Sequence, residues 1–404
     1  MSNTLLTPTA ITREALRILH TECALIKNCD KQHDGETTFG GQKRGSTIKI
    51  RLPNRYTVRS GWGIDVQDTT EESVDLVVAT VRGVDLYLTD ADLAQSLDDF
   101  SRRILRPAIS RLAAEIDRLV YENSIKYIWN LVGTAGTTPA NALVYLQAGQ
   151  RIGEYLTPKS DRVVIINPAA EAATVNGLAS LFNPEAKIGK QYIEGSMGRA
   201  LGFTWFMSQN VPSITNGTRD TGSSFQVNAT VSTEGSEQIA IKGLSGATQT
   251  VKAGESFTVG NVYAVNPETK ATQSFLQRFV VIEDATAVSS VVTVKVRPKL
   301  YSSASGPLQT VSAMPLENAT VTFTGSASTA YPRNLAFHPE AITFATAKLE
   351  MPSDVNFKAQ EVMDGISMRI LRQYDINSAN YPCRIDVLCG SVVQRPEMAC
   401  QIIG

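Results

Sequence analysis

Apolar residues keep to one helical face for longest between Asp90 and Gly133. Leu93, Leu97, Phe100 and Ile104 step by four, three and four, and Leu105, Ile109, Leu112, Ile116 and Leu119 carry the period onward. That spacing predicts a single amphipathic rod. Ser96 with Asp99 three residues later is a capping arrangement for its start, and Gly133 before the small polar run Thr134 to Pro139 predicts its stop. Pro107 predicts either a kink or a helix that begins there. At roughly 1.5 Å per residue, about thirty residues reach about 45 Å, enough to span a domain. The outer face carries Arg102, Arg103, Arg106, Arg111 and Arg118, whose simplest role is a solvated or ion-paired exterior.

Ahead of the rod, Leu16, Leu19, Cys23 and Ile26 give Thr12 to Lys27 the period of a short amphipathic helix. Ser46 to Leu52 and Val74 to Leu86 then alternate apolar and polar residues, predicting the two strands of a long hairpin. Its connection, Pro53 to Ser73, divides by charge. Arg51, Arg55 and Arg59 lie on the ascending side, and Asp65, Asp68, Glu71 and Glu72 on the descending side, with Trp62 between Gly61 and Gly63 at the tip. Pairing across one hairpin accounts for this at a few tenths of a kcal/mol per exposed pair. A two-stranded ribbon is marginal alone, however, so a neighbouring copy is the expected support, basic edge against acidic edge around a ring.

Beyond the rod, Asn141 to Leu156 predicts a helix with Leu143, Leu146, Ile152 and Tyr155 on one face. Val163 to Ile166 predicts a strand buried on both sides, followed by Asn167 as a cap, Pro168 in the first turn and a helix from Ala169 to Leu181. Leu201, Phe203, Trp205 and Met207 alternate within Gly198 to Ile214, predicting another strand. At Asn216 the composition changes. From there to Tyr331 the chain is rich in Ser, Thr, Gly and Val, with short alternating runs such as Phe257 to Val265 and Val288 to Val296. Such a segment predicts an inserted all-β sandwich or barrel. Leu335 to Pro339 and Ala341 to Ala347 return to the α/β body, and Cys383 to Ile403 reads as a closing strand.

A chain of 404 residues exceeds what one core serves, so two or more domains are expected. Its 38 basic and 39 acidic residues nearly cancel, which argues against a free-standing nucleic-acid binder with a broad basic field. Five scattered cysteines make no disulfide framework and suggest reduced thiols. With no basic-then-apolar leader and no apolar stretch of membrane-spanning length, the expectation is a soluble chain in the cytoplasm with no membrane partner.

Candidate chemistry is sparse. His20, Cys23, Cys29 and His33 are competent zinc ligands in two close pairs, but the gap between pairs is far too short for a zinc finger, so incidental helix and loop residues are the simpler reading. Asp220-Thr221-Gly222-Ser223-Ser224 matches the aspartic-protease signature, yet it follows Asn216 to Arg219 instead of an apolar strand and has no second copy. His338 lacks any nucleophile framework, and Gly61-Trp62-Gly63 opens no helix and lacks a third glycine. No catalytic residue, cofactor or cofactor-binding residue is expected.

The order of parts carries more than any one motif. Ser60 to Asp65 in the hairpin, Phe100 to Leu105 opening the rod, Gly198 to Phe203 leading to Val211-Pro212, and Val251 to Phe257 in the insertion all enter the resemblance. In that order the chain resembles the HK97-fold major capsid proteins of tailed bacteriophages, and among them the group typified by short-tailed Salmonella phage P-twenty-two, whose coat protein carries a β-barrel insertion at this place. The resemblance implies an α+β, HK97-like capsid fold divided into an N-terminal arm (1–40), an extended loop (41–88), a peripheral domain with the spine helix (89–140), the first part of an axial domain (141–215), the inserted β domain (216–332) and the return with a C-terminal strand (333–404). It implies a homo-oligomer of hexamers and pentamers that encloses double-stranded DNA, assembled in the host cytoplasm as a procapsid with a scaffolding protein and a portal at one vertex, and expanded on packaging. Arg51, Arg55, Arg59, Trp62, Asp65, Asp68, Glu71 and Glu72 would lie at the subunit interface. Arg102, Arg103 and Arg106 would face the interior and touch DNA weakly and without sequence preference. The alternatives are an encapsulin-type cargo compartment of the same fold and an aspartic protease built on Asp220.

Overall fold

The computed structural model describes residues 8–31, 47–56, 58–59, 61–64, 66, 71–88, 101–178, 198–220, 224–246, 248–355, 357–376 and 381–404. They fall into two compact units, one of 1–50, 73–121 and 342–394, the other of 51–72, 122–341 and 395–404. The α+β architecture with an inserted all-β barrel, expected from the sequence, is the one the chain adopts. No helix among the described residues is long and apolar enough to cross a membrane.

In the first unit the long strand Tyr381–Val393 is the centre of a five-stranded antiparallel sheet, pairing with Ile342–Ala347, Ile366–Arg372 and Thr80–Leu88. Asp386 is buried in that strand between Arg369 at 2.6 Å and Arg384 at 2.8 Å. Gly83 is its register partner, and a Cβ there would lie 2.6 Å from the Asp386 carboxylate, which is why no side chain fits. Helix α1 (Pro8–Glu22) buries Ile11, Ala15, Leu16, Ile18 and Leu19 and packs on the edge strand Phe357–Met363. It breaks at Cys23 before the short α2 (Ala24–Lys27), so the expected helix to Lys27 is two helices.

Only part of the expected rod lies within the described residues, since Leu93, Ser96, Leu97, Asp99 and Phe100 fall outside them. What is described is a π-helical turn, Ser101–Leu105, running into α3 (Arg106–Ile125). Pro107 thus stands two residues after the π turn, inside a helix that continues on both sides of it, and not at a helix start. Ile109, Leu112, Ile116 and Val120 are buried on its inner face. The helix stops at Ile125, not at Gly133, because Leu131–Val132 is a strand. The expected hairpin also changes partners midway: Thr47–Arg51 pairs with Ser73–Val77, whereas the continuation Thr80–Leu88 joins the five-stranded sheet.

The second unit has a mixed seven-stranded sheet, in the order Leu131–Val132, Ala399–Ile403, Ala330–Phe337, Val163–Ile166, Phe203–Met207 and Arg199–Ala200, with Ser213–Thr215 pairing on Ala330–Phe337. Cys383 to Ile403 is therefore two strands in two sheets, broken by the 3-10 turn Pro396–Met398. Helix α4 (Ala142–Glu154) begins on Asn141, whose side chain accepts from the Leu143 N–H at 3.1 Å. It buries Tyr145, Ala148 and Ile152, while Leu143 and Leu146 are exposed, contrary to the expected face. Helix α5 (Pro168–Leu178) is capped by Asn167, which accepts from the Ala170 N–H at 2.9 Å.

Inserted into this unit is a closed barrel of Ser236–Lys242, Val291–Leu300, Thr272–Val281, Ser256–Val265, Thr320–Phe323 and Phe225–Val227. Its inner residues, among them Phe257, Phe279, Val281, Val294 and Val296, form one core of their own. Closure leaves no free sheet edge.

Candidate assembly surface

The ribbon is anchored at its base by the Leu52 N–H on the Glu72 carbonyl at 2.8 Å, and Arg51 pairs with Glu71 at 3.0 Å. Both partners of that pair are exposed, so it fixes register more than it adds stability. Arg55 and Glu72 lie within electrostatic reach of Glu397, whose carboxyl burial pushes upward. Toward the tip, Arg59 donates from Nη1 to the Gly63 carbonyl at 2.6 Å and to the Gly61 carbonyl, folding the turn around its own guanidinium. That turn presents Trp62 at 101% exposure, with Val58 at 97%, Ile64 at 88% and Val66 at 84%. Asp65 and Asp68 lie outside the described residues.

Val58, Ile64 and Val66 were not among the interface residues expected from the sequence. Their signal was present as apolar residues at even spacings from Trp62, four before it and two and four after, a pattern that ordinarily marks a half-buried strand. Here these side chains have no cover among the described residues.

Arg102, Arg103, Arg106, Arg111 and Arg118 are all exposed, on the π turn and the outer side of α3. Arg102 and Arg106, four residues apart, lie close together, whereas Arg111 and Arg118, seven apart, lie on another side of the helix.

Three of the four candidate zinc ligands are described, each in other surroundings. His20 Nε2 meets the Asp364 carboxylate at 2.7 Å, and Cys23 donates to the Ala113 carbonyl at 3.7 Å. Burial pushes the Cys23 and Cys29 thiols upward, with Asp117 adding to it, so both are held protonated. His33 lies outside the described residues, and among those described no group of three or more His, Cys, Asp or Glu side chains converges.

Asp220 serves a loop. It accepts from the Ser245 N–H at 2.6 Å, the Ser245 hydroxyl at 2.7 Å and the Gln249 amide, and the Ser245 bond chiefly holds its carboxyl below the usual range. His338 is buried, its Nδ1 accepting from the Glu340 N–H at 3.4 Å, and burial pushes its pKa down. Neither residue has a catalytic partner among its described contacts.

Where the chain enters and leaves the barrel, a buried network does what the sequence did not announce. Glu255 and Arg219, 1% and 3% exposed at the side chain, form an ion pair. Glu255 also accepts from the Gly217 N–H at 2.6 Å and the Lys252 N–H at 2.7 Å, and Arg219 donates to the Gly325 carbonyl at 2.7 Å. The guanidinium carbon of Arg219 stands 4.6 Å from the centre of the Phe323 ring.

The family model described as P22 coat protein, gene protein 5, matches residues 3–404. Among solved structures the chain is similar to one from Mycobacterium phage Che8, at 12% identity over 94% of this chain and 90% of that one, with a TM-score of 0.46. It is similar to the capsid of Ralstonia phage GP4 at 8% identity over 91% and 85% of the two chains, with a TM-score of 0.46. A coat protein I-domain of CUS-3 matches over 26% of this chain and 100% of its own length, at 24% identity and a TM-score of 0.21. No curated protein matches.

Proposed function

Since this chain belongs to the P22 coat protein family and is the major capsid protein of a phage head, we propose that its ribbon, Arg51 to Glu72, is the clasp by which one subunit holds the next. Copies of the chain build the shell of the virion. The observation that carries the clasp is the row Val58, Trp62, Ile64 and Val66, nearly fully exposed on a ribbon whose tip is folded by Arg59. Apolar area removed from water is worth about 25 cal/mol per Å², so a neighbouring copy that covers this row gains most from Trp62. Around it, Arg51, Arg55 and Arg59 on one edge and Asp65, Asp68, Glu71 and Glu72 on the other set direction, and a head-to-tail contact of that kind closes into hexamers and pentamers.

On the same reading, residues 216–332 are the insertion domain and 41–88 the extended loop, and Arg102, Arg103 and Arg106 face packaged double-stranded DNA through weak contacts with phosphate. Assembly runs through a scaffold-assisted procapsid with a portal at one vertex, in the host cytoplasm, and the shell expands as DNA enters. None of this requires a catalytic group, a cofactor or a metal. An encapsulin-type compartment would enclose cargo enzyme where this shell encloses nucleic acid.

The clasp is tested by replacing Trp62 and Arg59 together with alanine. Circular dichroism of the unassembled chain should be unchanged, while electron microscopy shows no shells, or shells that fall apart at lower denaturant. Particles of unchanged yield and stability would end the proposal.

A further inference from the structure

The neck of the barrel is closed by the Asn216 N–H on the Thr329 carbonyl at 3.1 Å and the Ser328 N–H on the Gly217 carbonyl at 3.0 Å. Just beyond it, on the body strand Ala330–Phe337, Arg333 is fully buried, and its Nε, Nη1 and Nη2 meet no hydrogen-bond acceptor among the described residues. Arg278, on the barrel strand Thr272–Val281, lies close enough for its charge to oppose that of Arg333, and its Nη1 donates to the Thr324 hydroxyl at 2.6 Å. Glu255 supplies the opposing carboxylate, but both its oxygens are taken, one by the Gly217 and Lys252 amides and the other by Arg219. Glu255 thus answers the charges of Arg219 and Arg333 with one carboxylate, and Arg278 adds a further positive charge beside Arg333. Ser256, whose carbonyl accepts the Thr324 N–H at 2.9 Å, has a buried hydroxyl that is also without a partner.

Burial lowers the pKa of Arg333 to about 10, which leaves it charged at neutral pH. A buried cation without acceptors is among the least favourable arrangements a protein can hold, and it is relieved by a counter-charge that needs only donors around it. We infer that the neck binds a small monovalent anion of chloride size, held by Arg333 and Arg278 with the Ser256 hydroxyl as a further donor. A monatomic anion suits because it occupies about the space of one water and accepts from every side. Because Arg333 belongs to the body and Arg278 to the barrel, the anion ties the insertion to the sheet that carries it. This does not depend on the ribbon acting as a clasp.

The experiment uses the full chain, melted in sodium chloride and in sodium gluconate at equal ionic strength. Chloride should raise the melting temperature of the wild type by a few degrees, as any ligand confined to the folded state does. Arg333→Met should abolish that rise and, in gluconate, melt no lower than the wild type, since it removes an uncompensated charge. A chloride dependence that survives in Arg333→Met overturns the inference. Should that variant not fold, chloride NMR of the wild type decides: excess line broadening, reversed by added bromide, supports the site, and its absence leaves Arg333 to water alone.

Discussion

Glu255 shows how one side chain can organise a junction. Desolvation pushes its carboxyl upward, and the Arg219 charge and two backbone amides pull it back. The pair is thus the kind whose formation adds little net stability and whose breakage is severe. Arg219→Met should destabilise the chain by roughly 3–5 kcal/mol, read as a lower urea midpoint in the transition followed by barrel tryptophan-independent β signal. Adding Glu255→Leu should not restore it, because the Gly217 and Lys252 amides then lose their acceptor. Full recovery in the double variant would show that the two side chains serve only each other. Nothing in Val251 to Phe257 marked Glu255 as buried, since a lone glutamate at the start of a strand is ordinarily solvated. Burial here is created by residues far along the chain, Arg219 and Gly325 among them.

At the scale of elements, helix α2 is held by a residue of another helix. Cys23 at its N-cap does not cap the helix with its side chain, and instead Asp117 of α3 accepts from the Leu25 and Ile26 amides at 3.0 and 3.2 Å. A carboxylate at a helix start is favourable even for a helix this short, and an orphaned pair of buried amides is not. Asp117→Ala should lower stability by about 1–3 kcal/mol and make the bond after Lys27 sensitive to trypsin, whereas Asp117→Asn, which keeps an acceptor, should lie between. Equal protease resistance in all three would show that packing alone holds α2. Elements with local signals were legible: Asn141, Asn167 and the run Val163 to Ile166 stand where their chemistry predicts. The end of α3 was not. Its Ile125 carbonyl and that of Ile128 accept from the Gln401 side chain at 2.9 and 2.6 Å, across more than 270 positions of sequence. On α4 two apolar faces competed, and Tyr145 settles it because its hydroxyl finds the Thr174 hydroxyl at 2.8 Å inside the core, leaving Leu143 and Leu146 outside.

For the whole molecule, the composition shift at Asn216 was the clearest sign of the inserted barrel, because an all-β core needs its own alternating strands and turns while the surrounding body keeps mixed periods. The exposed ribbon tip was legible only in part: Trp62 stands out as a residue, whereas on the proposed clasp the cover for its neighbours would come from another copy, which leaves no trace in one chain. The barrel makes the opposite case. Every member of its buried cluster, from Phe225 to Val321, comes from the insertion, and the two strands of the neck are hydrogen-bonded to each other, so the segment begins and ends at one place. What the body adds is peripheral by comparison: Tyr155 donates to Gln277 at 3.2 Å, and Arg151 stacks on Phe275 at 3.2 Å from the ring centre. A segment of roughly a hundred residues with a closed sheet and a core of its own is the size at which domains fold alone. Residues 217–328, expressed separately, should therefore give a β-type circular dichroism spectrum and a single cooperative thermal transition, with amide exchange slowest along Ser256–Val265 and Thr272–Val281. A gradual, non-cooperative melt would mean that the body supplies part of the core, and the insertion would then be an extension of the sheet beneath it instead of a domain in its own right.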